Sequence, residues 1–435
     1  MYDVIIVGGG ASGLFSAASH PPNTKGLILE KQNKVGTKLL MSGSGQCNFT
    51  NAIDIKGFLC HYGDHGTKIR TALYAFNNLA VMRYFEEKGV TVVTREDGKV
   101  FPASLNSKDV LDVLVRESAN NGFEIIYNSA VDNIKYTTAI DVDNTAIANK
   151  DDSCAIDIDD IRCVDGVYTV YTKTVNTEDT SANTNSKQFQ CRKLIIATGG
   201  CSYPTTGSDG SMFKILKSMG ITISPPQPAL VPIFVQDYPY SSLSGISFGN
   251  VGIYIKDKGV IRKGTGPLLF THDSFSGPAI LNISRYARTG ATLSIDYFPD
   301  LNISDLIDMM KQSSIGNKKL VQSFIAETFK LPARFAESIK DRLSLTGNAA
   351  SLSKENMQRI AEVLKSDSFS ISGIGGFKEA MATAGGVHLD EINLKTFESK
   401  KYPRMHIIGE ALDIDGDTGG FNIQFAFSSG HKASF

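Results

Sequence analysis

An α/β fold is predicted, built on a discontinuous dinucleotide-binding domain whose two parts come from opposite ends of the chain. Three observations predict it. A continuous β-branched run, Val4-Ile5-Ile6-Val7, leads straight into Gly8-Gly9-Gly10-Ala11-Ser12-Gly13 and a small-residue stretch to Ala18. A second glycine-rich element, Asp415-Gly416-Asp417-Thr418-Gly419-Gly420-Phe421-Asn422, follows an apolar run near the other terminus. Between them the character of the chain changes at about residue 201 and returns near 371. The expected division is a first part over 1–200, an inserted domain over 201–370 and a second part over 371–435.

The elements follow in order. Val4 to Val7 has the unbroken apolar character of a parallel strand buried on both faces, and Gly26 to Leu29, ending on Glu30, completes a βαβ unit. Helical spacing runs from Ile69 to Lys88 through Leu73, Phe76, Leu79, Met82, Tyr84 and Phe85. A further helix carries Val110, Leu111, Val113, Leu114 and Val115 and ends near Asn121-Gly122, a plausible cap. Glu124 to Tyr127, Val131 to Tyr136, Val167 to Tyr171 and Gln188 to Ala197 read as strands. Two polar segments interrupt them. Asp141 to Asp165 carries eight aspartates, but Ala146 stands where a calcium loop needs glycine and no glutamate closes it, so a solvated excursion is expected. Asn176 to Lys187 reads as a hairpin tip. Residues 225–300 are strand-like with many turns, and 301–365 are helical, with Leu306, Ile307, Met309, Met310, Leu320, Phe324, Ile325, Ile360 and Leu364.

Composition limits the function classes. The 435 residues are 42% hydrophobic and 20% charged with 14 prolines, which suits a folded globular protein. The formal net charge of −1 offers no global basic field, so no nucleic-acid partner is expected. No apolar run approaches the ~20 residues of a membrane span. The six cysteines form no C-x-x-C pair, which signals neither a zinc module nor a disulfide framework and suits a reducing cytoplasm. No metal site is expected, and no heptad or interface stripe declares an oligomeric state.

The chemistry sits in the glycine elements. In Gly8-x-Gly10-x-x-Gly13 the first glycine allows the turn, the second admits a pyrophosphate and the third lets helix approach strand. Glu30 is placed to accept from a ribose 2′-OH. The stretch Lys34 to Asn51 is dense in glycine, hydroxyl and amide groups. Its backbone amides and the side chains of Ser42, Asn48 and Thr50 suit the phosphates and ribityl chain of a longer cofactor. A helix starting at Gly419–Asn422 would aim its positive end at the N1/O2 edge of an isoalloxazine. Two such elements at opposite ends of the chain point to FAD. A second G-x-G-x-x-G for NAD(P)H is missing, so a nicotinamide donor would have to dock at the flavin face.

Taken together, Gly8–Gly13, Lys38-Leu-Leu-Met-Ser-Gly-Ser-Gly-Gln-Cys-Asn-Phe-Thr-Asn51, Ala197-Thr-Gly-Gly200, Tyr203-Pro-Thr-Thr-Gly207, Phe270-Thr-His272, Ser276-Gly-Pro-Ala279, Thr383-Ala-Gly-Gly-Val387 and Gly409-Glu410 through Asn422 resemble the BaiN-like, or aminoacetone-oxidase-like, NAD(P)/FAD-dependent oxidoreductases. The resemblance spans residues 1 to about 430. It implies one FAD in a Rossmann-like domain of the two-dinucleotide-binding type, with an inserted β-barrel-like plus helical domain. It further implies that Gly8, Gly10, Ala11, Ser12, Gly13, Thr198, Gly199 and Gly200 meet the pyrophosphate. Glu30 would meet the adenosine ribose, Lys31 and Lys38 would lie near that end, and Val131 would offer its backbone to adenine. Ser42, Gly43, Gln46, Cys47 and Asn48 would face the ribityl–flavin part, Gly409 and Glu410 the ribityl chain, and Gly419, Gly420, Phe421 and Asn422 the ring. Two departures stand out: Gln46 replaces the family's usual Arg, and Ser274 its usual Gly.

His272, Cys47 and Thr383 are the candidate catalytic side chains. His titrates nearest neutral pH and suits acid–base work or a substrate carboxylate. Cys47 has no nearby partner cysteine, which favours a cofactor-lining role, and Thr383 fits a turn equally well. The function expected is hydride transfer through flavin N5, either from NAD(P)H to an enone-like small-molecule acceptor or from an amine to dioxygen. A flavin-binding redox sensor with negligible turnover and a flavin-free NAD-dependent dehydrogenase stand as the rivals.

Overall fold

The computed structural model describes residues 1–138, 166–174 and 186–435. The acidic excursion and nearly all of the expected hairpin tip lie outside the described residues. The chain divides into two compact units, one formed by 1–227 with 382–435 and the other by 228–381. These borders differ from the 200/201 and 370/371 expected from composition. The reason is local: the helix Ser211–Ser218 buries Met212, Phe213 and Leu216, with Ile221 just beyond it, in the core of the first unit.

The first unit is built on a parallel sheet. Its central strands are β1 (Tyr2–Val7), β2 (Gly26–Leu29), β3 (Phe123–Ile126), β4 (Ser186–Ile196) and β5 (Met405–Ile407), in the spatial order β5-β4-β1-β2-β3. Every neighbouring pair in that order is parallel. Ile5, Ile6, Leu27, Ile28, Leu194, Ile195, Ile196 and Ile407 are wholly buried or nearly so, as expected of strands covered on both faces. Helix α1 (Ala11–Ser19) connects β1 to β2, and helix α2 (Phe421–Lys432) packs against it, so the C-terminal segment completes the domain begun at residue 1. The expected long helix over 69–88 is two helices, Arg70–Ala75 and Asn78–Glu87. Asn77 ends the first by capping the second, its side chain accepting from Ala80 N at 2.9 Å, and this turns Leu79 outward.

In the second unit six strands close a barrel: Ile233–Val235, Ser247–Asp257, Val260–Phe270, Phe275–Ser276, Thr292–Asp296 and Asp367–Ile374. Four helices follow the barrel's Thr292–Asp296 strand, Ile303–Ser314, Val321–Phe329, Ala333–Arg342 and Lys354–Lys365, the first opened by a capping box between Asn302 and Asp305. One buried carboxylate ties barrel to helices. Asp367, 2% exposed, accepts from Arg342 Nη2 at 2.8 Å and from Tyr297 Oη at 3.1 Å, and it is also bonded by Tyr240 Oη. Among the described residues no helix is long and apolar enough to cross a membrane.

Asp367→Ala would leave Arg342 and two buried tyrosines without their acceptor. Because Arg342 is itself partly exposed, the loss expected is toward the low end for a broken buried pair, about 3 kcal/mol. Denaturant unfolding of the variant should show a lower midpoint for the barrel unit, and an unchanged midpoint would contradict this role.

Candidate functional site

The glycine turn after β1 is held by close contacts that exclude a side chain. A Cβ on Gly13 would lie 2.0 Å from the Gly8 carbonyl oxygen, so only glycine lets α1 start this close to β1. Gly10 is different: a Cβ there would meet nothing within 4 Å. No side chain caps the start of α1 and no acid stands in its first turn. Its first amides are therefore left for an external anion.

Glu30 ends β2 beside this turn. Its carboxylate is 8% exposed and accepts from Gly9 N and Gln32 N, both at 2.8 Å. Burial pushes its pKa up, and those backbone amides partly offset the rise. Asn128 N and Ser129 N donate to the carbonyls of Gln32 and Glu30, which brings the strand carrying Val131 alongside Glu30. Thr198 follows β4, next to Gly8, and its buried hydroxyl has no partner among the described residues. The same holds for Ser208 Oγ and Asn48 Oδ1.

Lys31 and Lys38 are ion-paired. Lys31 Nζ reaches Asp209 at 2.5 Å. Lys38 Nζ lies 2.5 Å from Glu410 Oε2, and Ser202 Oγ donates to Glu410 Oε1 at 2.5 Å. Lys38 and Glu410, expected near the adenosine end and the ribityl chain, are thus paired with one another. Gly409 precedes Glu410, and its amide donates to Ser429 Oγ of α2 at 3.0 Å. Thr383 takes the turn role that the sequence left open for it: its hydroxyl is fully buried and accepts from Cys201 N at 2.8 Å and Ser202 N at 3.1 Å. It fixes the turn after Gly199 and Gly200, which makes it a positioning residue.

The Ser42–Asn51 block meets the far end of the chain. Asn51 Nδ2 donates to the Gly419 carbonyl at 3.2 Å, and Thr50 Oγ1 donates to Gln424 Oε1 at 2.5 Å. A Cβ on Gly43 would lie 2.9 Å from Asn48 N, and Gln46 Oε1 accepts from Arg95 Nη2 at 2.6 Å. The guanidinium of Arg95 lies 4.0 Å over the Phe101 ring, so a cation does stand beside Gln46, supplied by a different strand pair. Cys47 is fully buried, and burial pushes its thiol up to about 12, so it stays protonated at neutral pH. His272 is exposed on a turn of the barrel unit, where Thr271 Oγ1 and Ser274 bond one another.

At the start of α2 the side chains expected at the ring have partners within the protein. Phe421 is 2% exposed, caged by Phe58 at 5.0 Å and by Tyr62, whose hydroxyl donates to the Phe421 carbonyl at 2.8 Å. Asn422 clamps Gly416, accepting from its amide and donating to its carbonyl, both at 2.8 Å. Both side chains shape the loop, and the amides at the helix start are what it presents. Sequence reasoning missed the two histidines packed there. His61 Nδ1 lies 3.0 Å from Asp417 Oδ2, and His65 Nε2 lies 4.0 Å from Asp413 Oδ1. No local motif marks His61, because its partner is 356 positions away.

These residues fit FAD. The uncapped α1 terminus, Gly10 and the unpaired Thr198 hydroxyl would hold the pyrophosphate, Glu30 the ribose, and the Ser42–Asn48 turn with the α2 terminus the flavin. Fold and site together define a flavoprotein enzyme of the oxidoreductase class. The chain belongs to the HI0933-like family: the profile described as "HI0933-like protein Rossmann domain" matches residues 2–157 and 160–435. It is 30% identical to a ribosomal RNA dihydrouridine synthase of Haemophilus influenzae, covering 99% of this chain and 97% of that protein. A protein of the same description from Escherichia coli is 27% identical over 98% of this chain and 96% of its own length. A 3-dehydro-bile acid delta(4,6)-reductase of Clostridium scindens is 26% identical over 98% and 97%.

Alkylation tests the burial directly. Iodoacetamide at pH 8 should label the exposed Cys60 in the native protein and leave Cys47 and Cys191 unmodified, as read by peptide mass spectrometry. Rapid labelling of Cys47 would contradict its protonated, enclosed state.

Proposed function

We propose that this protein is an FAD-dependent reductase that saturates a carbon–carbon double bond conjugated to a carbonyl, drawing electrons from NAD(P)H, with a uracil base of ribosomal RNA as its acceptor. FAD, when bound, supplies two-electron hydride chemistry. The observation that carries the reading is the junction of the Ser42–Asn51 block with the α2 terminus, where uncommitted amides stand ready for charge that develops on a reduced ring. The relatives' descriptions support this acceptor class. Making dihydrouridine saturates the double bond conjugated to the uracil carbonyl, and a delta(4,6)-reductase acting on a 3-oxo compound performs the same kind of addition.

An RNA acceptor departs from the expectation drawn from net charge. That sum hides an uneven distribution. Residues 139–165 contain eight aspartates against Lys150 and Arg162, and 175–185 add Glu178 and Asp179. Without these two segments Lys and Arg outnumber Asp and Glu, and local basic surface governs phosphate contact more than the whole-chain total. A small-molecule enone is the second reading, favoured by the bile-acid reductase relative.

Anaerobic holoprotein should be bleached by NADH or NADPH and then reoxidised by unmodified ribosomal RNA, with nucleoside mass spectrometry showing one uridine gaining two hydrogens. Reoxidation by a 4-en-3-oxo steroid but not by RNA would select the small-molecule reading. Bleaching by an amine and by neither nucleotide would overturn both in favour of an oxidase.

A further inference from the structure

We infer that His61, held by Asp417 and Phe421, is the proton donor of this reduction, an assignment that rests on the reductase reading above. Saturating a conjugated double bond needs two deliveries. A hydride goes to one carbon, and a proton goes to its neighbour as the electron pair of the π bond moves there. The flavin side supplies only the first, so the protein must supply an acid.

The candidates narrow quickly. Cys47 is fully buried, so its thiol is enclosed by the protein. Thr383 is committed to two backbone amides, and Lys38 to Glu410 and Ser202. His61 is built differently. Its ring lies flat on Phe421, the first residue of α2, with centroids 4.0 Å apart and planes 13° apart. Its Nδ1 is tied to Asp417 Oδ2 at 3.0 Å, and its carbonyl accepts from Asp417 N at 2.8 Å. Asp417 is the charged group in contact with the ring, and the neighbouring histidine of the same segment, His65, is turned toward Asp413.

Stacking and the carboxylate therefore fix both the plane and the rotation of the imidazole. They leave Nε2 with no hydrogen-bond partner among the described residues, on a side chain 31% exposed. A carboxylate on Nδ1 holds the tautomer that carries a proton there, and the donor form of the ring carries its other proton at Nε2. Two residues beyond Asp417, the Gly419 carbonyl is held by Asn51 of the Ser42–Asn51 block. The dyad is thus anchored at the junction the ring is proposed to occupy. In the step itself, the Nε2–H bond breaks and a C–H bond forms on the carbon next to the carbonyl. The neutral imidazole then takes a replacement proton from water, and the acceptor has gained one hydride and one proton.

His61→Gln and Asp417→Asn, each loaded with FAD and reduced with dithionite, isolate the step in which the acceptor reoxidises the protein. Reoxidation by the acceptor that serves the wild type should fall on the order of 100-fold in His61→Gln, the scale of a lost general acid, and less in Asp417→Asn, which keeps the imidazole. In deuterium oxide the wild type should place deuterium on one face of the carbon beside the carbonyl, and His61→Gln should lose that face selectivity, a readout that a packing role would not move. Wild-type reoxidation rate and face selectivity in His61→Gln would overturn the assignment and leave the reductase reading standing. A wild type that is bleached yet reoxidised by no conjugated acceptor would overturn the reading and the assignment with it.

Discussion

The contact on which the first unit depends is the approach of α1 to β1. With a side chain on Gly13, its Cβ would sit 2.0 Å from the Gly8 carbonyl, and the helix would have to move away. A second close approach joins α1 to α2, because a Cβ on Gly430 would lie 2.7 Å from the Ser12 carbonyl. Ser429 Oγ in turn accepts from Gly409 N, so the strand-to-turn segment that carries Glu410 is set by the same helix pair. Three chain segments far apart in sequence are thereby held in one register. The register leaves the α1 terminus, Glu30 and the α2 terminus in the same unit with their polar groups available.

Rigidity and availability are separated in this site. Side chains with strong bonding capacity are mostly spent on shape: Asn422 on Gly416, Thr383 on the 201–202 amides, Glu410 on Lys38 and Ser202. Among the described residues, what remains available is backbone amide, a few buried hydroxyl and amide oxygens, and Nε2 of His61. Such a set suits a large anionic cofactor, since amides arranged by the fold cost no further ordering when it binds.

The fold was largely legible because its signals are local. The β-branched run, the glycine spacing and the acid at the end of the second strand lie within thirty residues and specify a βαβ unit by themselves. The strand-like stretch 225–300 and the helical stretch 301–365 were legible from their patterning, whereas a barrel was implied by the family resemblance alone. The roles of single side chains were less legible, because they are decided by partners distant in sequence. Phe421 is enclosed by Phe58, His61 and Tyr62, all distant from it in sequence, and the burial of Cys47 is likewise set by packing that no local motif announces. His61 carried no signal at all, since its meaning comes from Asp417, 356 positions away. The missing cation at Gln46 was legible, whereas Arg95 beside it was not, because a strand pair from another part of the chain delivers it.

The central claim is that one FAD is held by a domain assembled from both ends of the chain. It is tested most directly by measuring released flavin per polypeptide, after reconstitution with FAD, in the wild type and in Gly13→Val. The account predicts close to one FAD per wild-type chain and almost none in the variant, whose barrel unit stays folded. A colourless wild-type protein, or a Gly13→Val variant that retains its FAD, would contradict it.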